Sequence, residues 1–188
     1  MTEKEYKCLI DEETYKRTED AYEWDSVKNQ TNNYYAAETD ILAKNRITVR
    51  IREKDGVYKI QVKRHKNEES ALHISEELEF DSDGAPNVID AQKAREITGV
   101  ETGALKKIGA LTTLRHSLMW DKYTEICLDK SIYLDRSDYE LEVEYQKEMP
   151  KKLFEELEKL GADFSKPVTG KYSRFVKRLK EIMSNKKE

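Results

Sequence analysis

Two pairs of carboxylates stand two residues apart: Glu3 with Glu5, and Glu142 with Glu144. That spacing puts both members of a pair on one face of a strand. Like charges so placed repel one another unless a cation lies between them, and hard divalent cations take oxygen ligands of this kind. Glu77 and Glu79 repeat the spacing, and Glu140 extends the face of Glu142 and Glu144. Arg50 and Arg52 show it with the opposite charge, and Lys63 and Arg115 lie in strand-like stretches of their own. Guanidinium and ammonium groups suit phosphate oxygens. Acids alone would repel a polyphosphate, and bases alone would bind it without activating water. Together they describe metal-assisted phosphoryl chemistry on a triphosphate, with Mg2+ or Mn2+ bridging carboxylates to phosphates.

Alternating strands must position these groups. TEKEYKCLI, RITVRIRE, VYKIQVKRH, ALHISEELEF, LTTLRHSLMW, YTEICLD and DYELEVEYQ each read as a strand with one charged and one apolar face. Asp55-Gly56 is a hairpin signal between the second and third of these. Residues 11–27 read as a helix capped by Asp11, and 88–98 as a second. A third helix runs near 150–160, opened by Pro150 and ended by Gly161. A last one starts at Lys171 and frays into a charged tail. QTNNYYAAETD reads as a polar connection with room for a short strand, and a polar loop follows His65.

Of 188 residues, 38% are charged and 37% hydrophobic, against roughly 25% charged in an average globular domain. Eleven Tyr and repeated alternation argue against disorder. The net charge of −4, with the signs interspersed, argues against a nucleic-acid coat. Cys8 and Cys127 form neither a disulfide framework nor a zinc spacing. No apolar run approaches the roughly 20 residues of a membrane span. The expectation is a single domain over 1–188, cytoplasmic, without membrane or nucleic-acid partners.

One charged strand is most simply a wet sheet face. Many such strands, with helices to cover their apolar sides, suggest a sheet curled shut with the charges inside. A charged interior is costly unless it is paired or filled.

The series Glu3-Lys4-Glu5-Tyr6-Lys7, Arg50/Arg52, Lys63, Glu77/Glu79, Arg115, Asp129, Glu142/Glu144 and Lys171-Tyr172-Ser173 resembles the CYTH domain family, the triphosphate tunnel metalloenzymes. The resemblance implies an α+β fold: an eight-stranded antiparallel closed β-barrel with helices packed outside. It implies Mg2+ or Mn2+, and a small triphosphate that is either hydrolysed or, in adenylyl cyclase relatives, cyclised from ATP. A sensor that binds without turnover is a third reading, and a homodimer a further implication. By the same resemblance Glu3, Glu5, Glu142 and Glu144 hold metal, with Glu77, Glu79 and Asp129 as further acids. Lys7, Arg50, Arg52, Lys63, Arg115 and Lys171 grip phosphates, and Glu5, Glu142 and Lys63 carry catalysis. Relatives often follow an aromatic pair with Asp-Thr; here Ala36-Ala37 follow Tyr34-Tyr35.

Several residues have plainer readings. Glu140 reads as a solvated mouth residue, and Glu125 as a weaker site residue than Asp129. Tyr34 and Tyr35 read as packing residues. His65, His73 and His116 show no ligand spacing, and Cys127 has no evident partner for catalysis.

Overall fold

A computed structural model describes residues 2–67 and 71–185. The elements run β1 (Thr2–Ile10), α1 (Glu12–Ala21), β2 (Ser26–Ala36), α2 (Ile41–Lys44), β3 (Ile47–Lys54), β4 (Val57–Asn67) and β5 (Leu72–Ser82). Then come β6 (Val88–Ile89), α3 (Ala91–Thr98), β7 (Leu105–Asp121), β8 (Thr124–Tyr133), β9 (Arg136–Tyr145), α4 (Lys151–Leu160) and α5 (Lys171–Asn185). Eight antiparallel strands form a ring in the order β2-β3-β4-β5-β1-β9-β8-β7, closed by pairing of β7 with β2, and β6 is a short addition to β7. Closure leaves the eight strands without a free edge.

Strand alternation sends apolar side chains outward in two patches, each covered by helices. On one wall, Cys8 of β1, Ile126 and Leu128 of β8, and Leu141 and Val143 of β9 pack under Tyr15 of α1 and Leu153, Phe154 and Leu157 of α4. Across the barrel, Tyr35, Val49, Ile51, Ile60 and Val62 lie under Leu42 of α2 and Ala94 and Ile97 of α3. Each such aliphatic side chain contributes about 1.5–3 kcal/mol when fully buried. With both outer walls apolar, the opposite faces of the strands point into the barrel.

A third cluster stops one end of the barrel. Tyr34, Leu111 and Tyr133 meet Phe175 of α5, which is fully buried. Gly109 makes the entry possible: a Cβ there would lie 2.7 Å from Cζ of Phe175, and its φ is 145°.

The local signals work as expected at several points. Asp55 and Gly56 both adopt positive φ, at 54° and 76°, and turn β3 into β4. Asp11 caps α1, its Oδ1 accepting from Thr14 N at 2.7 Å, and Gly161 ends α4 in the left-handed region.

Three readings need correction. The helix expected over 11–27 stops at Ala21, where Trp24 Nε1 folds back to donate to Glu19 O at 2.9 Å. The polar connection expected over 30–40 is strand as far as Ala36, part of the eleven-residue β2 that is held between β3 and β7. The helix expected over 88–98 is α3 alone, capped by Asp90, with 88–89 paired to β7. Residues 68–70, in the expected polar loop, and 186–188, in the charged tail, lie outside the described residues.

Candidate active site inside the barrel

The barrel encloses a cavity of about 290 Å3 whose two sides carry opposite charge. Arg50 and Arg52 project from β3 and Lys63 from β4, while Glu3 and Glu5 project from β1, Glu142 and Glu144 from β9, and Glu125 from β8. Lys7 of β1, Arg115 of β7 and Lys171 of α5 also line it. Register makes this segregation: Glu5 lies opposite Glu144 across β1 and β9, and Arg52 opposite Asn32 across β3 and β2.

Three carboxylates converge at the end away from Phe175. Glu3, Glu5 and Glu144 each offer an oxygen within 4.8 Å of the others. Burial, reinforced by Glu3 and Glu5, pushes the Glu144 carboxyl up to about 8. Glu5 behaves oppositely: burial raises it, but Lys7 and Lys63 outweigh burial and hold it down at about 2. Lys7 Nζ is 2.7 Å from Glu5 and 3.6 Å from Glu142. Lys63 pairs with Glu3, and with Glu77 at 3.2 Å. An oxygen-only trio with one carboxyl kept protonated by its neighbours is the donor set of a hard divalent cation, and such a cation relieves the repulsion.

Deeper in, charges are mutually satisfied. Arg115 donates from Nε and Nη2 to Asp129 at 2.8 and 2.6 Å, and also pairs with Glu142. Lys171 Nζ lies 2.9, 2.5 and 2.7 Å from Asp129, Glu140 and Glu142. Burial opposes ionisation of Glu142, yet Lys171, Arg115 and Lys7 hold its carboxyl well below the usual range. Glu140 is 1% exposed and not at a solvated mouth, because α5 covers it with Lys171 and Arg174.

Arg52 is the least compensated of these cations. Its Nε donates to Asn32 Oδ1 at 3.0 Å, and no carboxylate among the described residues comes within ion-pair distance. Burial, with Arg50 and Arg115 adding repulsion, pulls the guanidinium down to about 9. Arg50 Nε donates to Gln61 at 2.8 Å and approaches Glu77 only to 3.9 Å. A buried cation flanked by like charge is a seat for an anion.

The seven acids expected at metal therefore divide. Glu3, Glu5 and Glu144 converge, while Glu142 and Asp129 are committed to Arg115 and Lys171. Glu77 lines the cavity beside Lys63, and Glu79 stands at the outer mouth, with Gln61 Nε2 donating to it at 3.0 Å. All six expected phosphate-binding cations line the cavity. Glu125 lines it too and Asp129 does not, the reverse of their ranking from sequence. Sequence parity marks a face of a strand but not the depth along it. Sequence reasoning misses Gln30, Asn32 and Tyr34 as lining residues because 30–40 reads as a connection. His65 and His73 also border the cavity, bonded to Thr48 Oγ1 and Val168 O. His116 packs outside, with Nδ1 3.3 Å from the Tyr15 hydroxyl. Cys127 is buried at the wall, its Sγ 3.8 Å from Ser117 Oγ.

The family description of the CYTH domain matches residues 1–175. A Bacillus halodurans protein provisionally described as an adenylate cyclase superposes with a TM-score of 0.69 at 26% identity, over 91% of this chain and 95% of that one. HpAC1 from Hippeastrum was provisionally named an adenylyl cyclase and shows a dominant triphosphatase activity. It superposes at 0.74 and 20% identity, over 93% and 95% of the two chains. The Mimivirus capping enzyme triphosphatase superposes at 0.53 and 12% identity, over 82% and 85%. No curated protein matches the chain.

Proposed function

The chain belongs to the CYTH domain family, and from that premise we propose that it is a metal-dependent hydrolase cleaving a phosphoanhydride bond of inorganic triphosphate or another small triphosphate. One observation carries the reading. An under-compensated cationic wall at Arg50 and Arg52 faces the converging trio Glu3, Glu5 and Glu144 across one cavity.

Arg52, Arg50 and Lys63 bind phosphate oxygens and align the chain, and desolvation strengthens each contact. Glu3, Glu5 and Glu144 hold a divalent cation, Mg2+ or Mn2+. When bound, that ion neutralises charge on the phosphate oxygens. Glu142 holds Lys7, Arg115 and Lys171 in place; held so far below the usual range, it is a poor proton acceptor. Glu125, at the same mouth and without an ion-pair partner among the described residues, is placed to orient a water for in-line attack.

The test is phosphate release across inorganic triphosphate, thiamine triphosphate, ATP and GTP with Mg2+ or Mn2+. Release that needs the metal and is lost in Glu5→Gln and Arg52→Ala supports hydrolysis. Silence across the panel sinks it. A second reading, cyclisation of ATP, is favoured by the likeness to the Bacillus halodurans protein. Cyclic AMP with pyrophosphate, in place of ADP with phosphate, would establish it.

A further inference from the structure

The inward arginines of the barrel differ in the chemistry of the group that holds them. Arg115 is held by carboxylates: Nε and Nη2 both donate to Asp129, and Glu142 pairs with it too. Arg50 and Arg52 are held by carboxamides. Arg52 Nε donates to Asn32 Oδ1 at 3.0 Å, and Arg50 Nε donates to Gln61 Oε1 at 2.8 Å. Asn32 is 1% exposed and Gln61 5%, so both amides are built into the cavity wall.

Register puts each amide in place. Arg52 of β3 lies directly opposite Asn32 of β2, and Arg50 directly opposite Gln61 of β4. The strands on either side of β3 thus supply one amide each. The partners of Gln61 also fix which way round its amide lies. Arg50 Nε can only donate, and the Glu79 carboxylate accepts from Gln61 Nε2 at 3.0 Å. An amide oxygen at Nε sets the plane of a guanidinium without neutralising it, and leaves Nη1 and Nη2 for another acceptor. Among the described residues those atoms make no hydrogen bond in Arg50 or Arg52, and only Glu77, 3.9 Å from Arg50 Nη2, comes within ion-pair distance. A carboxylate in place of either amide would compensate the cation, as Asp129 and Glu142 compensate Arg115.

We propose that Asn32 and Gln61 are positioning residues that set the planes of Arg52 and Arg50 and, being neutral, keep both cations available to a phosphate chain. The inference rests on the reading of the cavity as a phosphate site. It deepens that reading by separating the arginines: the amide-held pair takes the anion, and the carboxylate-held Arg115 builds the wall.

Calorimetric titration with inorganic triphosphate, in chelator and again with Ca2+, tests this on wild type, Asn32→Asp, Asn32→Ala, Gln61→Ala and Gln30→Glu. Thermal unfolding of the ligand-free proteins accompanies it. Gln30 lines the same cavity and, among the described residues, bonds neither arginine. Asn32→Asp gives Arg52 a counter-ion between Arg50 and Arg115. It is expected to unfold at the wild-type temperature or above, yet to bind triphosphate roughly 100-fold more weakly. The alanine variants keep the charge but release the guanidinium, and are expected to bind about threefold to tenfold more weakly. Gln30→Glu adds the same charge away from the fork, and is expected to bind about tenfold more tightly than Asn32→Asp. Equal losses in those two variants overturn the proposal, because added charge alone then accounts for them. Wild-type affinity in Asn32→Asp, or in both alanine variants, overturns it as well. So does a lower unfolding temperature or loss of the fold in Asn32→Asp, since the new carboxylate then finds no arginine to pair with. Each of these results leaves the cavity reading intact. No binding by wild type in either buffer overturns the cavity reading together with the positioning roles.

Discussion

Arg52 keeps its charge among Arg50 and Arg115 and, among the described residues, bonds only to the Asn32 side-chain oxygen. Replacing it with an apolar residue of similar length removes that repulsion. Arg52→Met is therefore expected to leave the ligand-free protein as stable as wild type or more so. It should weaken triphosphate binding by roughly 100-fold, about 3 kcal/mol. Calorimetry and thermal unfolding of the same samples check both halves. Glu144 gives a pH signature. Its carboxyl rises from 4.5 to about 8 in the fold, through burial and then Glu3 and Glu5. Between those values the folded protein holds a proton that the unfolded chain has released. Metal-free protein is therefore expected to lose stability as pH rises through that window. Melting curves in chelator should fall between pH 5 and pH 8 for wild type and be flatter for Glu144→Gln. Mn2+ should restore stability at the upper end in wild type. A wild-type curve flat across the window contradicts the clustering. Glu3, Glu5, Arg50, Arg52 and Glu144 were legible in the sequence, because alternate spacing fixes a shared face. The separate fate of Asp129 and Glu125 was not. Both have inward parity, and only the register of β8 against β7 and β9 places Asp129 beneath Arg115.

Among the elements, β7 and α5 depend on one another through Gly109 and Phe175. A methyl group at residue 109 meets the Phe175 ring, in a backbone conformation that L side chains rarely adopt. Gly109→Ala is expected to cost about 1–3 kcal/mol by overpacking. Phe175→Ala empties the plug and is expected to cost about 3–5 kcal/mol. Denaturant titration measures both, and a neutral Gly109→Ala would show that Phe175 is free to withdraw. The sequence displayed the charged strands well and β2 badly. In SVKNQTNNYYA, polar residues fall on both faces until the tyrosines. The strand is made by its neighbours, through pairs with β3 on one side and β7 on the other, and not by its own alternation. The end of α1 was equally hidden, because the bond that turns the chain back comes from Trp24.

At the scale of the molecule, the closed ring turns a charge-rich sequence into a charged interior with apolar outer walls under helices. Among the described residues, no helix is long and apolar enough to cross a membrane. Like charges gathered on the cationic wall oppose one another until an anion arrives. Triphosphate is therefore expected to raise the melting temperature, by mass action, and less so at high salt. A chain of three phosphates should shift it more than orthophosphate at equal concentration; an equal shift would mean that one isolated anion site accounts for binding. Closure of the barrel was suggested by repetition, and its eight strands by the family resemblance. No single strand implied it, but seven charged faces with helices to cover their backs did. In the proposed function this interior holds metal on one side and phosphates on the other for hydrolysis. Phosphorus NMR of inorganic triphosphate with micromolar protein tests this division of labour. Mn2+ or Mg2+ is expected to convert the triphosphate resonances to those of pyrophosphate and orthophosphate. Chelator, or Arg52→Met with its fold retained, should abolish the conversion. Conversion that continues in chelator, or triphosphate left intact with either metal, would contradict it.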